Sequence, residues 1–159
     1  MCLTLKFNNR FCVSYDILVY KMLNDTDHLD IRTPFKNVPV LFKDGVAELQ
    51  INDEDLKPNM LKDVNKGIHS YSSLSECRER SFVFTYSAYY AIIPAGTPFY
   101  VGKREDVVSS KLIIFKTEND LRNYEDKNGM ASPLSIKPLS LVRTKFMGYI
   151  LEGEAVKEA

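Results

Sequence analysis

Apolar residues in this chain recur at every second position in short runs, and turn residues separate the runs rather than long amphipathic stretches. Leu3 to Phe7 reads Leu, Thr, Leu, Lys, Phe, the alternation of a half-buried strand. Asn8-Asn9 follows. Both residues tolerate positive φ, so a tight turn is expected there, with Phe11 to Ser14 as the return strand. Ile17 to Leu23 is more continuously apolar, as in a more fully buried strand. Val38 to Phe42 and Val46 to Ile51 flank the turn signal Lys43-Asp44-Gly45 and predict a second hairpin. Gly67 to Tyr71 reads as a short strand or turn. Further strands are expected over Phe82 to Ile93, Phe99 to Val101, Leu112 to Phe115 and Leu139 to Leu151, with Gly148 marking a bulge in the last.

Helical signals are few. Ser73-Leu74-Ser75-Glu76 has the spacing of a capping box and predicts a helix from Leu74 to Ser81. Thr117 with Asp120 opens a second helix, which Asn128-Gly129 closes. Asn52 to Lys66 has room for one helical turn, while Asn24 to Asn37 and Gly102 to Ser110 read as polar loops. Strands outnumber helices and do not alternate with them regularly. The expected fold class is therefore α+β, a mainly antiparallel β-sheet with two or three short helices. A chain of 159 residues fits a single domain, here residues 1–151, with 152–159 as an exposed C-terminal tail.

Lys plus Arg and Asp plus Glu both number 21, so no net field draws the chain to nucleic acid or to an acidic membrane. No apolar run approaches the roughly 20 residues that cross a bilayer, and Lys6 and Arg10 interrupt the opening segment before a leader forms. Cys2, Cys12 and Cys77 have no framework spacing and fit a reducing compartment, which makes the cytoplasm the expected location. There is no phosphate-binding glycine loop, no paired-cysteine spacing and no His-Glu-x-x-His helix. The cysteines, His28 and His69 are scattered, so neither a metal nor a cofactor is expected.

Three features carry chemistry. If Met1 is removed, Cys2 gains an α-amine that serves as base for its thiol, the logic of an N-terminal-nucleophile hydrolase; the alternative is a small apolar residue on an edge strand. His69 lies beside Gly67 and ahead of the hydroxyls of Ser70, Tyr71, Ser72 and Ser73, just before a helix N-terminus whose amides favour an anion. The alternative there is that the serines cap the helix and His69 is a satisfied histidine. Aromatic residues crowd Phe82 to Tyr100, where they pair across strands in the core or form an exposed face for oligomerisation.

Read in order, Val19-Tyr20-Lys21, Ser70-Tyr71-Ser72-Ser73, Ile92-Ile93-Pro94-Ala95-Gly96 and Leu112-Ile113-Ile114 resemble the segment order of the ADP-ribosyltransferase fold. The resemblance implies Lys21 in the place of a frequent arginine, and Ser70 and Ser72 on the nicotinamide-ribose side of an NAD or ADP-ribose ligand. The family's glutamate is missing before Leu112, where the chain reads Val107-Val108-Ser109-Ser110-Lys111. Glu105 and Asp106 are the nearest acids and the candidate stand-ins. The Met-Cys-Leu opening, Gly-Ile-His-Ser-Tyr and Ile-Ile-Pro-Ala-Gly-Thr-Pro-Phe-Tyr-Val-Gly also resemble small uncharacterised proteins of gut Bacteroidetes and their phages. The leading expectation is a non-catalytic domain that binds a small nucleotide-like ligand or a protein through Lys21, His69, Ser70, Tyr71 and Ser72. The alternatives are a divergent NAD-using transferase, a Cys2 hydrolase and a structural oligomerising protein.

Overall fold

The computed structural model describes residues 3–5, 10–26, 30–34 and 36–127, together with the backbone of short strands between 136 and 158. Cys2, the Asn8-Asn9 turn, His28, Asn128-Gly129, Gly148 and the exposure of the C-terminal tail lie outside the described residues. In chain order the elements are β1 (Leu3–Thr4), β2 (Phe11–Cys12), β3 (Asp16–Leu23), β4 (Val46–Gln50), a 3₁₀ turn (Asp53–Asp55), β5 (Asp63–Val64), β6 (Ile68–Tyr71) and α1 (Leu74–Val83). Then come β7 (Ser87–Ile93), β8 (Phe99–Val101), β9 (Asp106–Ser109), β10 (Lys111–Phe115) and α2 (Glu118–Lys127). The C-terminal strands are β11 (Ile136–Pro138), β12 (Leu141–Arg143), β13 (Tyr149–Leu151), β14 (Glu154–Ala155) and β15 (Lys157–Glu158).

The class is α+β, with one large, mainly antiparallel sheet in the order β15-β2-β8-β9-β6-β3-β7-β10-β4. β11 adds to β3 in parallel. One covalent fact shapes this sheet. β9 and β10 are joined through the single residue Ser110, yet β6, β3 and β7 lie between them in the sheet. A flat sheet would hold β9 and β10 roughly 19 Å apart, while a two-residue step covers at most about 7 Å. The sheet must curl until its path closes at Ser110, which is buried and whose carbonyl accepts from Ile51 N–H at 2.7 Å.

Strand alternation then sorts the side chains. Ile17, Val19 and Leu23 of β3 face inward with Ala91 and Ile93 of β7, Ile68 of β6, Phe99 of β8 and Leu112 and Ile114 of β10. Phe99 is fully buried there, which stabilises the fold by roughly 2–3 kcal/mol. The opposite face is covered in three places. Tyr71 and Met22 pack with Cys77 of α1, Ile92, Ile113 and Phe115 pack with Leu121 of α2, and Val108 and Tyr100 pack with Leu3 and Val64 of β1 and β5.

Both helix starts form, but the first capping box is only half realised. Ser73 Oγ accepts from Glu76 N–H at 3.3 Å, while the Glu76 carboxylate accepts from Arg80 Nε one turn on instead of bonding back to Ser73. Thr117 N–H donates to Asp120 Oδ2 at 3.0 Å while Asp120 N–H donates to Thr117 Oγ1 at 3.2 Å, a reciprocal box.

Several expected boundaries are corrected. The capped α1 propagates through Phe82 and Val83, so the following strand begins only at Ser87 and both side chains point to solvent. A helix already nucleated extends at little cost, which overrides the strand pattern of an apolar run. The expected loop Gly102 to Ser110 holds β9, a central strand with Val107, Val108 and Ser109 buried. β1 pairs with β5 and β2 with β8, so these two strands do not form a hairpin with each other. Val38 to Phe42 forms no strand; Pro39 makes a single bridge to Arg32. Leu141–Arg143 and Tyr149–Leu151 pair antiparallel with each other instead of forming one strand.

Candidate functional site

β3 and β6 are paired at one register position, Tyr20 with Tyr71. Ser72 N–H donates to the Glu105 carbonyl beside β9. Backbone direction alternates along a strand, so His69 turns its carbonyl the other way, toward β3. The ladder does not extend to a second pair, and Lys21 Nζ takes the place of a β3 amide, donating to the His69 carbonyl at 2.6 Å. Where the two strands part, a slot of about 230 Å³ opens, lined by Lys21 and Met22 on one side and Gly67, Ile68, His69 and Tyr71 on the other.

The segment after β3 covers the slot. It is tied down by Asn24 and Arg32, which exchange backbone bonds at 2.8 and 3.0 Å, and by Val40 N–H donating to the Ile31 carbonyl at 2.8 Å. Thr33, Pro34, Lys36 and Val38 of this segment reach the slot, and the end of β4 contributes Leu49, Gln50 and Ile51. The walls are thus mostly apolar. Two lysines, a histidine, Tyr71, Thr33 and Gln50 supply the polar groups, and no Asp or Glu is present among the described lining residues.

Lys21 is the unusual member. It occupies an inward position of β3 between Val19 and Leu23, where an apolar residue belongs, and is only 7% exposed. No ion pair joins it to a carboxylate among the described residues. Asp25, near the end of β3, is held instead by Ser87 Oγ and the Tyr89 hydroxyl, each donating at 2.9 Å. Burial pushes the Lys21 ammonium down to about 8, and Lys36 adds a smaller push the same way. Burial, and then the charge of Lys21, push the His69 imidazole down to about 3, so the ring is neutral near pH 7. Its Nδ1 and Nε2 are both buried and have no hydrogen-bond partner among the described residues. Burial pushes the Tyr71 hydroxyl up to about 12, which keeps it a donor.

The structure brings together Lys21, His69 and Tyr71 from the residues singled out in the sequence and leaves the others apart. Ser70 is fully buried on the inward face of β6 and does not line the slot; its Oγ has no partner among the described residues. Ser72 Oγ donates to the Glu105 carbonyl at 3.0 Å and supports the turn before α1. Glu105, at φ 56, and Asp106 are not on the slot walls. Asp106 Oδ1 accepts from Arg104 N–H at 3.1 Å and lines a second cleft of about 410 Å³ with Arg80, Lys103, Phe84 and the far side of Tyr71. The sequence reading missed Thr33, Lys36 and Gln50. They sit in a loop and at a strand end, and nothing in their spacing marks them.

Gly67 shapes the slot entrance. Its φ of +131 is open to glycine alone, and a Cβ there would meet Val108 Cγ2 and lie 2.8 Å from Leu56 Cδ1. Gly67→Ala is expected to destabilise the fold by roughly 1–3 kcal/mol, read as a lower urea midpoint with an unchanged slope.

Comparison with protein-family models, with curated proteins and with solved structures returned no match. Among the described residues no three His, Cys, Asp or Glu side chains gather to hold a metal ion, and no helix is long and apolar enough to cross a membrane.

Proposed function

We propose that this chain is a non-catalytic ligand-binding domain whose ligand is small, largely apolar and anionic at one end. The observation that supports this reading is an apolar slot holding two lysines and no described acid. A buried ammonium without a counter-ion among the described residues is relieved by an anion. A cavity of roughly 150 Å³ accepts benzene, so about 230 Å³ suits a single substituted ring or a branched chain with a carboxylate. The resemblance puts such a module in a bacterium or its phage, and the free cysteines fit the cytoplasm.

The test is thermal unfolding against a panel of carboxylates, matched alcohols, nucleotides, NAD, ADP-ribose and sugars. A carboxylate with an apolar tail, such as 4-methylpentanoate, is expected to raise the unfolding temperature, while the matching alcohol does not. A ligand at about a hundred times its Kd stabilises by about 2.7 kcal/mol, well within reach of the assay. Lys36→Met is expected to shrink the shift. The proposal fails if no carboxylate shifts the transition. A shift with NAD or ADP-ribose alone would favour the transferase-like reading, whose support is that Lys21 and Tyr71, both within the resembling segments, line one slot.

A further inference from the structure

We propose that the slot captures 2-oxo acids with an apolar side chain as an imine on Lys21, a proposal that rests on the binding reading above. Three features of geometry carry it. Lys21 lines the slot, its Nζ donates to the His69 carbonyl, and no carboxylate among the described residues holds it as an ammonium. Lys36 lines the same slot as a second cation, which seats a carboxylate while the adjoining carbonyl carbon faces Lys21. His69 lines the same slot and offers its backbone carbonyl to Nζ, which fixes where the amine sits.

In the step itself, the neutral amine of Lys21 attacks the carbonyl carbon. An N–C bond forms and the C=O pair moves onto oxygen. One proton passes from nitrogen to that oxygen, giving the carbinolamine. The oxygen then leaves as water after taking a second proton from solvent, equivalent to the one the Lys21 ammonium released before attack, and the nitrogen lone pair closes the C=N bond. The balance is ammonium plus ketone giving protonated imine plus one water, with no oxidant or reductant. The protonated imine keeps one N–H, which the His69 carbonyl accepts as it accepts the free amine. Desolvation beside a second cation is a known route to a nucleophilic lysine, and the ammonium is already pushed down to about 8.

The experiment treats the protein with 4-methyl-2-oxopentanoate and sodium cyanoborohydride near pH 7, followed by peptide mapping by mass spectrometry. Lys21 is expected to carry on the order of tenfold more reduced adduct than any other lysine, because its neutral fraction at that pH is far larger. Lys36→Met is expected to lower the yield with the oxo acid but not with uncharged 3-methylbutanal. 4-Methylpentanoate, which has the carboxylate and no ketone, separates the two proposals. If it binds and protects the slot while no adduct forms on Lys21, the imine is overturned and the binding reading stands. If neither acid binds, both fall. Adduct spread evenly over exposed lysines also overturns the imine.

Discussion

Lys21→Met makes this protein more stable near neutral pH, by about 2 kcal/mol. In the folded chain the ammonium sits in an apolar row without a counter-ion among the described residues, and burial pushes it down to about 8 from the ordinary 10.5. Each unit of that gap is about 1.4 kcal/mol of preference for the neutral form, or about 3 kcal/mol in all. Methionine has a similar length and no charge, and it forfeits one hydrogen bond to the His69 carbonyl, worth about 1 kcal/mol. The gain depends on pH in a definite sense. Between 8 and 10.5 the unfolded chain holds a proton that the folded chain has released, so wild-type stability rises through that window. The advantage of Lys21→Met is therefore full below pH 8 and fades as pH rises toward 10.5. Urea unfolding of both proteins across this range checks it. A destabilised variant with no pH-dependent difference would show that Lys21 serves the fold.

The second large effect lies on the acid side. Unfolded His69 takes up a proton as pH falls through 6.5, whereas in the fold it resists until about 3. Stability is lost progressively between those values. At about pH 4.5 the loss from this one residue is about 2–3 kcal/mol. His69→Phe keeps the ring volume and removes two buried nitrogens that have no partner, so the variant is expected to hold its stability near neutral pH. At about pH 4.5 it is expected to exceed the wild type by that 2–3 kcal/mol. Subtracting the two urea curves cancels the carboxylates that both proteins share.

Much of the sheet was legible because its strands carry their own pattern. Ile17 to Leu23, Val46 to Ile51 and Leu112 to Phe115 alternate or bury strongly, and each became a strand within a residue or two. Both helix starts followed from local capping chemistry at Ser73 and Thr117. β9 was hidden because its two valines sit between polar residues, and burial came from neighbours far away in sequence. The Phe82 to Val83 stretch was misassigned because its composition suits a strand while its place in a growing helix decides otherwise.

The site was half legible for a related reason. His69 and Tyr71 stood out by residue type and by their position ahead of a helix, while Lys21 was named only through the resemblance to the ADP-ribosyltransferase segment order. The parting of β3 from β6 is a matter of pairing, which no local pattern encodes. Thr33, Lys36 and Gln50 join the slot only through that tertiary arrangement. Ser70 and Ser72 look equivalent in sequence, yet Ser70 is buried inward on β6 while the strand ends at Tyr71, and Ser72 in the following turn donates to the Glu105 carbonyl.

The proposed pairing of the buried Lys21 ammonium with an anion can be followed directly in protein whose lysines carry ¹³C at Cε, with the Lys21 resonance read against pH by NMR. A midpoint near 8 is expected in the free protein, with an upward move when 4-methylpentanoate fills the slot. A midpoint at the ordinary 10.5, unmoved by any carboxylate, would contradict it.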